Sequence, residues 1–307
     1  MILVAGAGGS VGSALIAALE GSSAPDGSHR AIRAFVRREF DALRLRDRGI
    51  EAVTGDAVTG RGLDTAMRGV RTLVYLVDTL DRSGDAVSND LEAVQNTLIA
   101  ARAAGVQRVV YLGHIAAADG TFSQHLVARW ATELAVRQSG LAWVVLRPPI
   151  ILGPGGTLFE SMRRIVARSP VVPLWRWRRT EVEPVALSDV VEALCISIDT
   201  PEWVDRTFDI SGSTRTTFGA LVRAWGRASG AHRLYLPLPG WGERVGEQLA
   251  WSLARLPRRE TRLLLETLRE RQVCADPSRR FPLGRRPLDL DTAIAEAIQR
   301  RATPESQ

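Results

Sequence analysis

The glycines of GAGGSVG are the first residues whose spacing suggests chemistry. They follow the apolar run ILVA and precede VGSALIAALE, whose apolar residues recur at helical spacing. Strand, glycine turn and helix in that order bring a phosphate against the N–H groups and positive dipole of a helix N-terminus. The G-x-x-G-x-x-G spacing therefore predicts a dinucleotide pyrophosphate site formed by Gly6, Gly9, Ser10, Val11 and Gly12. The alternative is a structural turn without a ligand.

The end of the second predicted strand, AIRAFVRR at 31–38, bears on the choice of dinucleotide. An acidic residue there would bind the ribose 2′-hydroxyl, whereas Arg37 and Arg38 accommodate a 2′-phosphate. Glu39 comes one position too late for the acidic role. NADP(H) is therefore favoured over NAD(H), the alternative being two solvated arginines on an arginine-rich surface.

The ends of the third and fourth predicted strands add further cofactor candidates. Asp56, with Ala57 beside it, follows IEAVTG and is placed to accept a hydrogen bond from the adenine amino group. A helix N-cap or a turn is the alternative role for this aspartate. Val77 lies near the end of RTLVYLVD at 71–78 and is predicted to contact the cofactor.

The stretch SQHLVARW sets His125 and Arg129 four residues apart, on one face of a helix predicted over about 122–138. Because histidine titrates near neutral pH, His125 is a candidate proton donor, and Arg129 is a candidate clamp for the nicotinamide ribose or a phosphate. A neighbouring arginine would also lower the pKa of the imidazole. His114, at the end of the strand 106–115, is a second catalytic candidate. The alternatives are a packed histidine at a helix start, a surface arginine and a polar residue at a strand end.

Predicted strands and helices alternate six times before residue 155, which indicates a parallel sheet with helices on both faces. The predicted fold class is α/β, a Rossmann-type doubly wound parallel sheet with a small, mainly helical C-terminal substrate lobe. We expect an NAD(P)-binding core at 1–155 and the lobe, interleaved with the last Rossmann elements, at 156–307. WRWRR at 175–179 is interpreted as a strand with buried tryptophans, or as the lining of an aromatic pocket. The basic stretch 253–272 is interpreted as lobe helices, or as a contact with an anionic membrane or a partner.

Composition limits the partners and the chemistry. The net charge of +6 over 307 residues is modest, and all 40 basic residues are arginines, so no lysine can act as a base or form a Schiff base. Two cysteines and the lack of a signal peptide or an 18-residue apolar run favour a reducing, cytoplasmic location without a membrane span. We expect a small-molecule substrate, no nucleic acid, no metal, and a monomer or homodimer.

Several stretches in order resemble the atypical short-chain dehydrogenase/reductases, in particular the NmrA-like NAD(P)H-binding group: GAGGSVG, VRR, the GD at 55–56, AARAAGVQRVVYLG, LRPPIILGPG and PVALSDVVEAL. The resemblance covers residues 1 to about 220, and more loosely the end of the chain. It implies a Rossmann domain that binds NAD(P)H, a small lobe over the substrate, and a position beside the nicotinamide for Pro148 and Pro149.

The chain departs from this family at the proton-transfer residues. Catalytic members carry Tyr-x-x-x-Lys on the helix after the fifth strand, where this chain has His125 and Arg129. The serine position falls in the region of Gly113 and His114. Tyr75 and Tyr111 lie inside predicted strands and the chain has no lysine, so the sequence does not supply the usual Tyr–Lys pair.

The sequence therefore predicts an NADPH-dependent reductase of a small organic substrate, for example an aromatic or quinone-like secondary metabolite. His125, or a water that it holds, would supply the proton. Two alternatives stay open: an NAD(P)H-binding regulator or assembly factor without turnover, and a redox-neutral cyclase or epimerase.

Overall fold

The computed structural model describes residues 1–79, 82, 85–115, 123–238 and 266–302. The chain divides into two compact units. The first comprises Met1–His114, Gln124–Arg147 and Val190–Asp209, and the second comprises Ile115–Ser123, Pro148–Asp189 and Ile210–Gln307. Most of the basic stretch predicted at 253–272 lies outside the described residues.

The described strands and helices are as follows. The strands are β1 (Ile2–Ala5), β2 (Ile32–Val36), β3 (Glu51–Thr54), β4 (Thr72–Tyr75), β5 (Arg108–Leu112), β6 (Ala142–Arg147), β7 (Ile151–Leu152), β8 (Val171–Leu174), β9 (Glu181–Val182), β10 (Val185–Ala186), β11 (Arg206–Asp209), β12 (Thr216–Thr217) and β13 (Leu234–Pro237). The helices are α1 (Ser10–Glu20), α2 (Glu39–Asp47), α3 (Leu63–Met67), α4 (Ala86–Ala103), α5 (Gln124–Arg137), α6 (Thr157–Arg168), α7 (Leu187–Asp199), α8 (Phe218–Ala228) and α9 (Leu290–Ala302). Two short 3₁₀ turns cover Arg176–Arg179 and Pro277–Arg279.

The first unit is built on a seven-stranded sheet in the order β11-β6-β5-β4-β1-β2-β3. Every neighbouring pair is parallel, so the predicted Rossmann-type fold is confirmed. All residues of β2 and β5 are buried, including Arg33 and Arg108, because helices cover both faces of the sheet. The strand order reverses between β1 and β4, and the carboxyl ends at such a reversal form the crevice where α/β proteins bind ligands.

The seventh strand extends the predicted sheet. The sequence indicates a strand in RTFDISG, and the structure pairs this strand, β11, with β6 at the edge of the sheet. The apolar segment 141–153 is not one strand, because β6 ends at Arg147, directly before Pro148 and Pro149. Its remainder, β7, pairs with β10 in the second unit.

The second unit has its own apolar core between α6, α8, α9 and three two-stranded sheets. Its centre is Phe159, whose ring meets the Trp225 ring edge-on at a centroid distance of 4.5 Å. The interpretation of WRWRR as a strand is wrong, because Arg176–Arg179 form a 3₁₀ turn after β8. Trp175 is buried and Trp177 half-buried against the core, so the expectation of tryptophans packed inside is met.

Substitution of Phe159 by alanine should destabilise the protein strongly. The side chain is fully buried, and its removal leaves a cavity against Trp225, at a cost of about 3–5 kcal/mol. Phe40→Ala removes the same ring from a site that is 67% exposed and is the matched control. Urea unfolding followed by tryptophan fluorescence measures both, and equal midpoints for the two variants would contradict this assignment of the core.

Candidate functional site

The turn after β1 requires glycine at two positions. Gly6 has φ +90, and a Cβ there would lie 2.6 Å from the carbonyl oxygen of Leu76. A Cβ on Gly12 would lie 2.7 Å from the Cα of Ala7 and would overlap the Gly6 carbonyl oxygen. Strand, turn and helix therefore meet too closely for any side chain, as a dinucleotide turn requires.

The start of α1 completes a cradle for an anion. Gly9 is the N-cap residue and no side chain caps the helix, so the first-turn N–H groups of Ser10, Val11 and Gly12 are left for another acceptor. Val77 follows β4 on the opposite side of the strand-order reversal, and a Cβ on Gly6 would lie 3.0 Å from its amide nitrogen. The bare backbone and the helix N-terminus together fit a pyrophosphate group.

The residues after β2 are two exposed arginines and an acid that is hydrogen-bonded to its neighbours. Arg37 and Arg38 are exposed, and Arg38 is the N-cap residue of α2. Glu39 accepts hydrogen bonds from the Thr54 hydroxyl and, at 2.7 Å, from the Arg46 guanidinium. These two bonds hold the pKa of Glu39 below its usual value, so this carboxylate is committed inside its own unit.

Sequence reasoning missed Asp41. Its carboxylate lies over the glycine turn, because a Cβ on Gly8 would come within 2.9 Å of the Asp41 Oδ2. An acid in the first turn of a helix is common for reasons of the helix dipole alone, so the sequence gives no specific signal for this contact. A negative charge at this point bears directly on whether a ribose hydroxyl or a phosphate is bound.

Asp56 is held by an arginine that the sequence did not connect with it. Both carboxylate oxygens accept from Arg82 Nη1, at 2.8 and 2.7 Å, and Oδ1 also accepts from the Val58 amide at 3.0 Å. Burial raises the pKa of Asp56, but these bonds outweigh it and lower the pKa overall. Neighbouring Ala57 is buried. An adenine amino group at Asp56 would have to share a carboxylate already bonded to Arg82.

The structure brings the two candidate catalytic histidines together. His125 is the second residue of α5, and its ring lies edge-on to His114 with the centroids 6.0 Å apart. His114 follows β5 by two residues, where the Gly113 amide continues the pairing with β6 by donating to the Leu146 carbonyl at 2.8 Å. The pair therefore stands at the carboxyl end of the central strands.

Arg129, one turn after His125, is buried among carboxylates. Its Nη2 lies 3.0 Å from Asp78 Oδ2 and 3.5 Å from Asp90 Oδ2, and its Nη1 donates to the Val77 carbonyl at 3.3 Å. Burial lowers the pKa of Arg129, but the two aspartates outweigh burial and raise it, so the guanidinium stays charged. Asp90 also accepts from the Thr79 hydroxyl at 2.6 Å. The predicted clamp thus joins β4, α4 and α5 before any ligand is considered.

The field around His125 keeps the imidazole neutral. Burial, followed by the positive charge of Arg129, lowers the pKa of His125 to about 3, with Asp78 acting in the opposite direction. Its Nδ1 is buried and has no hydrogen-bond partner within the described parts of the chain. At neutral pH this side chain can donate or accept a hydrogen bond, but it carries almost no proton to release as an imidazolium.

The two tyrosines and Pro148 are buried and packed within the fold. Tyr75 and Tyr111 are fully buried in β4 and β5, and burial raises the pKa of both phenols. The Tyr111 hydroxyl donates to the Arg129 carbonyl at 3.2 Å. Pro148 is buried, and its carbonyl accepts from the Ile115 amide at 3.0 Å. Over the described ranges no three His, Cys, Asp or Glu side chains lie close enough to hold a metal ion, and no helix there is long and apolar enough to cross a bilayer.

Comparison with known proteins adds a family and a fold. The family model described as NAD(P)H-binding matches residues 6–165. A ceramide reductase of Caulobacter vibrioides is 29% identical over 258 residues, which cover 82% of this chain and 78% of that protein. The NADP(H) complex of Citrobacter sp. triphenylmethane reductase superposes with a TM-score of 0.76 at 20% identity, covering 97% of this chain and 100% of that one. An NADPH complex of the Escherichia coli quinone oxidoreductase QOR2 has a TM-score of 0.71 at 19% identity, with coverage of 97% and 100%.

Gly12→Ala should abolish dinucleotide binding, because the added methyl group overlaps the backbone of Gly6 and Ala7 and pushes α1 away from β1. Gly21→Ala, at the other end of α1, is the control, since its Cβ would meet nothing closer than 3.6 Å. Fluorescence titration with NADPH measures binding, and circular dichroism checks the fold. Unchanged NADPH affinity in a folded Gly12→Ala protein would rule out this turn as the phosphate site.

Proposed function

Because this chain belongs to the NAD(P)H-binding family, we propose that it is an NADPH-dependent reductase of a small organic substrate. The observation that carries the proposal is the His114–His125 contact at the carboxyl end of the sheet, in the same unit as the glycine turn. A cofactor cradle alone would need no such pair, whereas a reductase needs polar groups where the substrate oxygen is held. We also propose that the core at 1–155 binds the cofactor and that 156–307 supplies the substrate lobe.

The proposed cofactor residues lie at different strand ends, and each group would bind a different part of the dinucleotide. Gly6, Gly9 and the first turn of α1 would hold the pyrophosphate, and Arg37 with Arg38 would pair with a 2′-phosphate. The engagement of Glu39 with Arg46 and Thr54 supports NADP(H), because it removes the nearest acid from competition for the ribose. Asp41 acts the other way, since its carboxylate repels a phosphate. Bound nicotinamide would supply the hydride.

The proposed role of His125 is that of a neutral hydrogen-bonding group. It would orient the substrate oxygen, and the proton would arrive from His114 or from water that the pair holds. This replaces an imidazolium acid, because burial and the positive charge of Arg129 lower the pKa of His125 to about 3, so the imidazole is neutral at pH 7. Arg129 would hold α5 against the segment that follows β4, and it would provide positive charge near the reacting oxygen.

The proposed substrate is apolar and carries a reducible carbonyl or polarised double bond. Similar proteins are described as a ceramide reductase, a triphenylmethane reductase and a quinone oxidoreductase, which supports an aromatic or lipid-like organic molecule. A second candidate, an NAD(P)H-binding protein without turnover, is favoured by one observation. Arg129, which replaces the lysine of the family motif, is already paired with Asp78 and Asp90.

A direct test of the reductase proposal is NADPH oxidation by the purified protein with a panel of quinones, triarylmethane dyes and ketones. We expect turnover with at least one acceptor and a lower rate in His125→Ala, while NADPH binding persists. NADPH binding without oxidation across the panel would favour the protein without turnover. Absence of nucleotide binding would remove both candidates.

Arg37→Ala should weaken NADPH binding about tenfold or more and leave NADH binding unchanged, because a charge-assisted hydrogen bond to the 2′-phosphate contributes about 1.5–3 kcal/mol. Arg44→Ala removes another exposed arginine on α2 and controls for net charge. Asp41→Asn should shift the preference further towards NADPH. Equal weakening of both nucleotides by Arg37→Ala would assign this arginine a general role instead.

The pH profile of kcat/KM should show no His125 titration between about pH 5 and 8. Because its pKa is lowered to about 3, the charged form appears only as the pH falls through that value, below the ordinary range of histidine. His125→Ala should lower the rate without changing the shape of the profile, and His232→Ala, an exposed histidine, should change neither. A step near pH 6.5 that disappears in His125→Ala would restore the imidazolium acid.

A further inference from the structure

In the second unit one face of a two-stranded sheet is apolar and exposed to solvent among the described residues. β8 and β13 pair in parallel, with Leu234 opposite Val171 and Leu236 opposite Pro173. Alternate residues Val172, Leu174 and Tyr235 pack on the core. On the other side Val171, Leu234 and Leu236 are 38, 63 and 44% exposed. We call the surface formed by Val171, Pro173, Leu234 and Leu236 the β8–β13 face.

Exposed arginines stand at both ends of the β8–β13 face. Arg168 ends α6, three residues before Val171, and Arg176 and Arg179 follow the other end of β8. All three side chains are exposed, and none forms an ion pair with an acid in the described ranges. The face is therefore an aliphatic centre with one exposed arginine before β8 and two after it, none of them ion-paired to an acid in the described residues.

Two stretches that build this surface contain no acid, although the first turn of α6 carries Glu160, which pairs with Arg163. Residues 161–180 and 218–238 hold nine arginines and neither aspartate nor glutamate, although the whole chain has 34 acids against 40 arginines. α6 packs on α8 and β8 pairs with β13, so these segments form one part of the second unit. The nine arginines are Arg163, Arg164, Arg168, Arg176, Arg178, Arg179, Arg223, Arg227 and Arg233.

We propose that the β8–β13 face binds the surface of an anionic lipid bilayer, with its aliphatic side chains among the acyl chains and its arginines at the headgroups. Exposed aliphatic residues with flanking basic residues are the composition of interfacial membrane contacts, and each basic residue near an anionic surface contributes about 1 kcal/mol. Nucleic acid fits less well, since the exposed face offers no aromatic ring for base stacking.

The lipid contact does not rest on the reductase proposal. NADPH titration reports on the glycine turn of the first unit, and vesicle binding reports on residues of the second unit. If the reductase proposal and the lipid contact both hold, the protein would bind the membrane in which an apolar substrate is dissolved. It would thereby bring a water-soluble cofactor to that substrate.

Co-sedimentation of the full chain with vesicles tests the contact. We expect binding to vesicles of equal parts phosphatidylglycerol and phosphatidylcholine, and little binding to phosphatidylcholine alone. R168E/R176E/R179E should weaken the binding about a hundredfold or more, by the arithmetic of surface charge. L234D/L236D should lose it while the arginines are kept, and L234S/L236S is the milder variant if the aspartates disturb the fold. NADPH titration and circular dichroism check that each variant is intact.

The control is I99D/R102E, which makes the same kinds of change at exposed positions of α4 in the first unit. It should bind vesicles like the unaltered chain. Equal loss in this control would mean attraction by net charge alone and would overturn the proposal. The proposal would also be overturned by equal binding to phosphatidylcholine vesicles, or by no vesicle binding of a folded chain. Binding to heparin or single-stranded DNA that L234D/L236D leaves unchanged would indicate a nucleic-acid site instead. A dimer in light scattering that L234D/L236D dissociates would indicate that the face binds a second copy of the chain.

Discussion

The buried guanidinium of Arg129 is the constraint around which the candidate site is arranged. A charge taken out of water is tolerated only with close counter-charges, and Arg129 finds them in Asp78 after β4 and Asp90 on α4. The pairs cross three elements, so they fix the position of α5 relative to the sheet. His125 lies one turn before Arg129, and Val77, which accepts from Arg129, lies against the glycine turn. One ion cluster thus connects the segment beside the glycine turn with the helix that carries His125.

The exchange of lysine for arginine at this point changes what the site can do. A lysine ammonium is a compact charge that is free to move between partners, whereas the planar guanidinium holds several acceptors at once and stays charged. Its fixed charge, added to burial, keeps His125 neutral, so the positive charge and the hydrogen-bonding group are divided between two side chains.

The sequence reveals the parts of this architecture that depend on local pattern. Apolar runs and glycine spacing predict six of the seven strands of the sheet and the turn at Gly6–Gly12, because strand burial and backbone clearance act on neighbouring residues. The sequence offers His114 and His125 as separate candidates, after the fifth strand and at the start of α5, and their contact is a finding of the structure. The Arg82–Asp56 pair and the approach of Asp41 to Gly8 were not, since each depends on side chains from separate elements meeting in space. WRWRR failed as a strand because alternation over five residues does not exclude a 3₁₀ turn.

The distribution of arginine, rather than its number, carries the functional information. A compositional bias against lysine explains why all 40 basic residues are arginines, but it does not decide where acids accompany them. In the first unit the buried guanidiniums of Arg30, Arg33 and Arg129 each face a carboxylate, and that of Arg108 donates to the Trp203 carbonyl. Around the β8–β13 face water solvates the exposed arginines Arg168, Arg176 and Arg179, so folding requires no acid beside them, and none pairs with them in the described residues. Neither stability nor solubility calls for aliphatic side chains in the middle of such a surface, and their exposure is a cost that an apolar partner would remove.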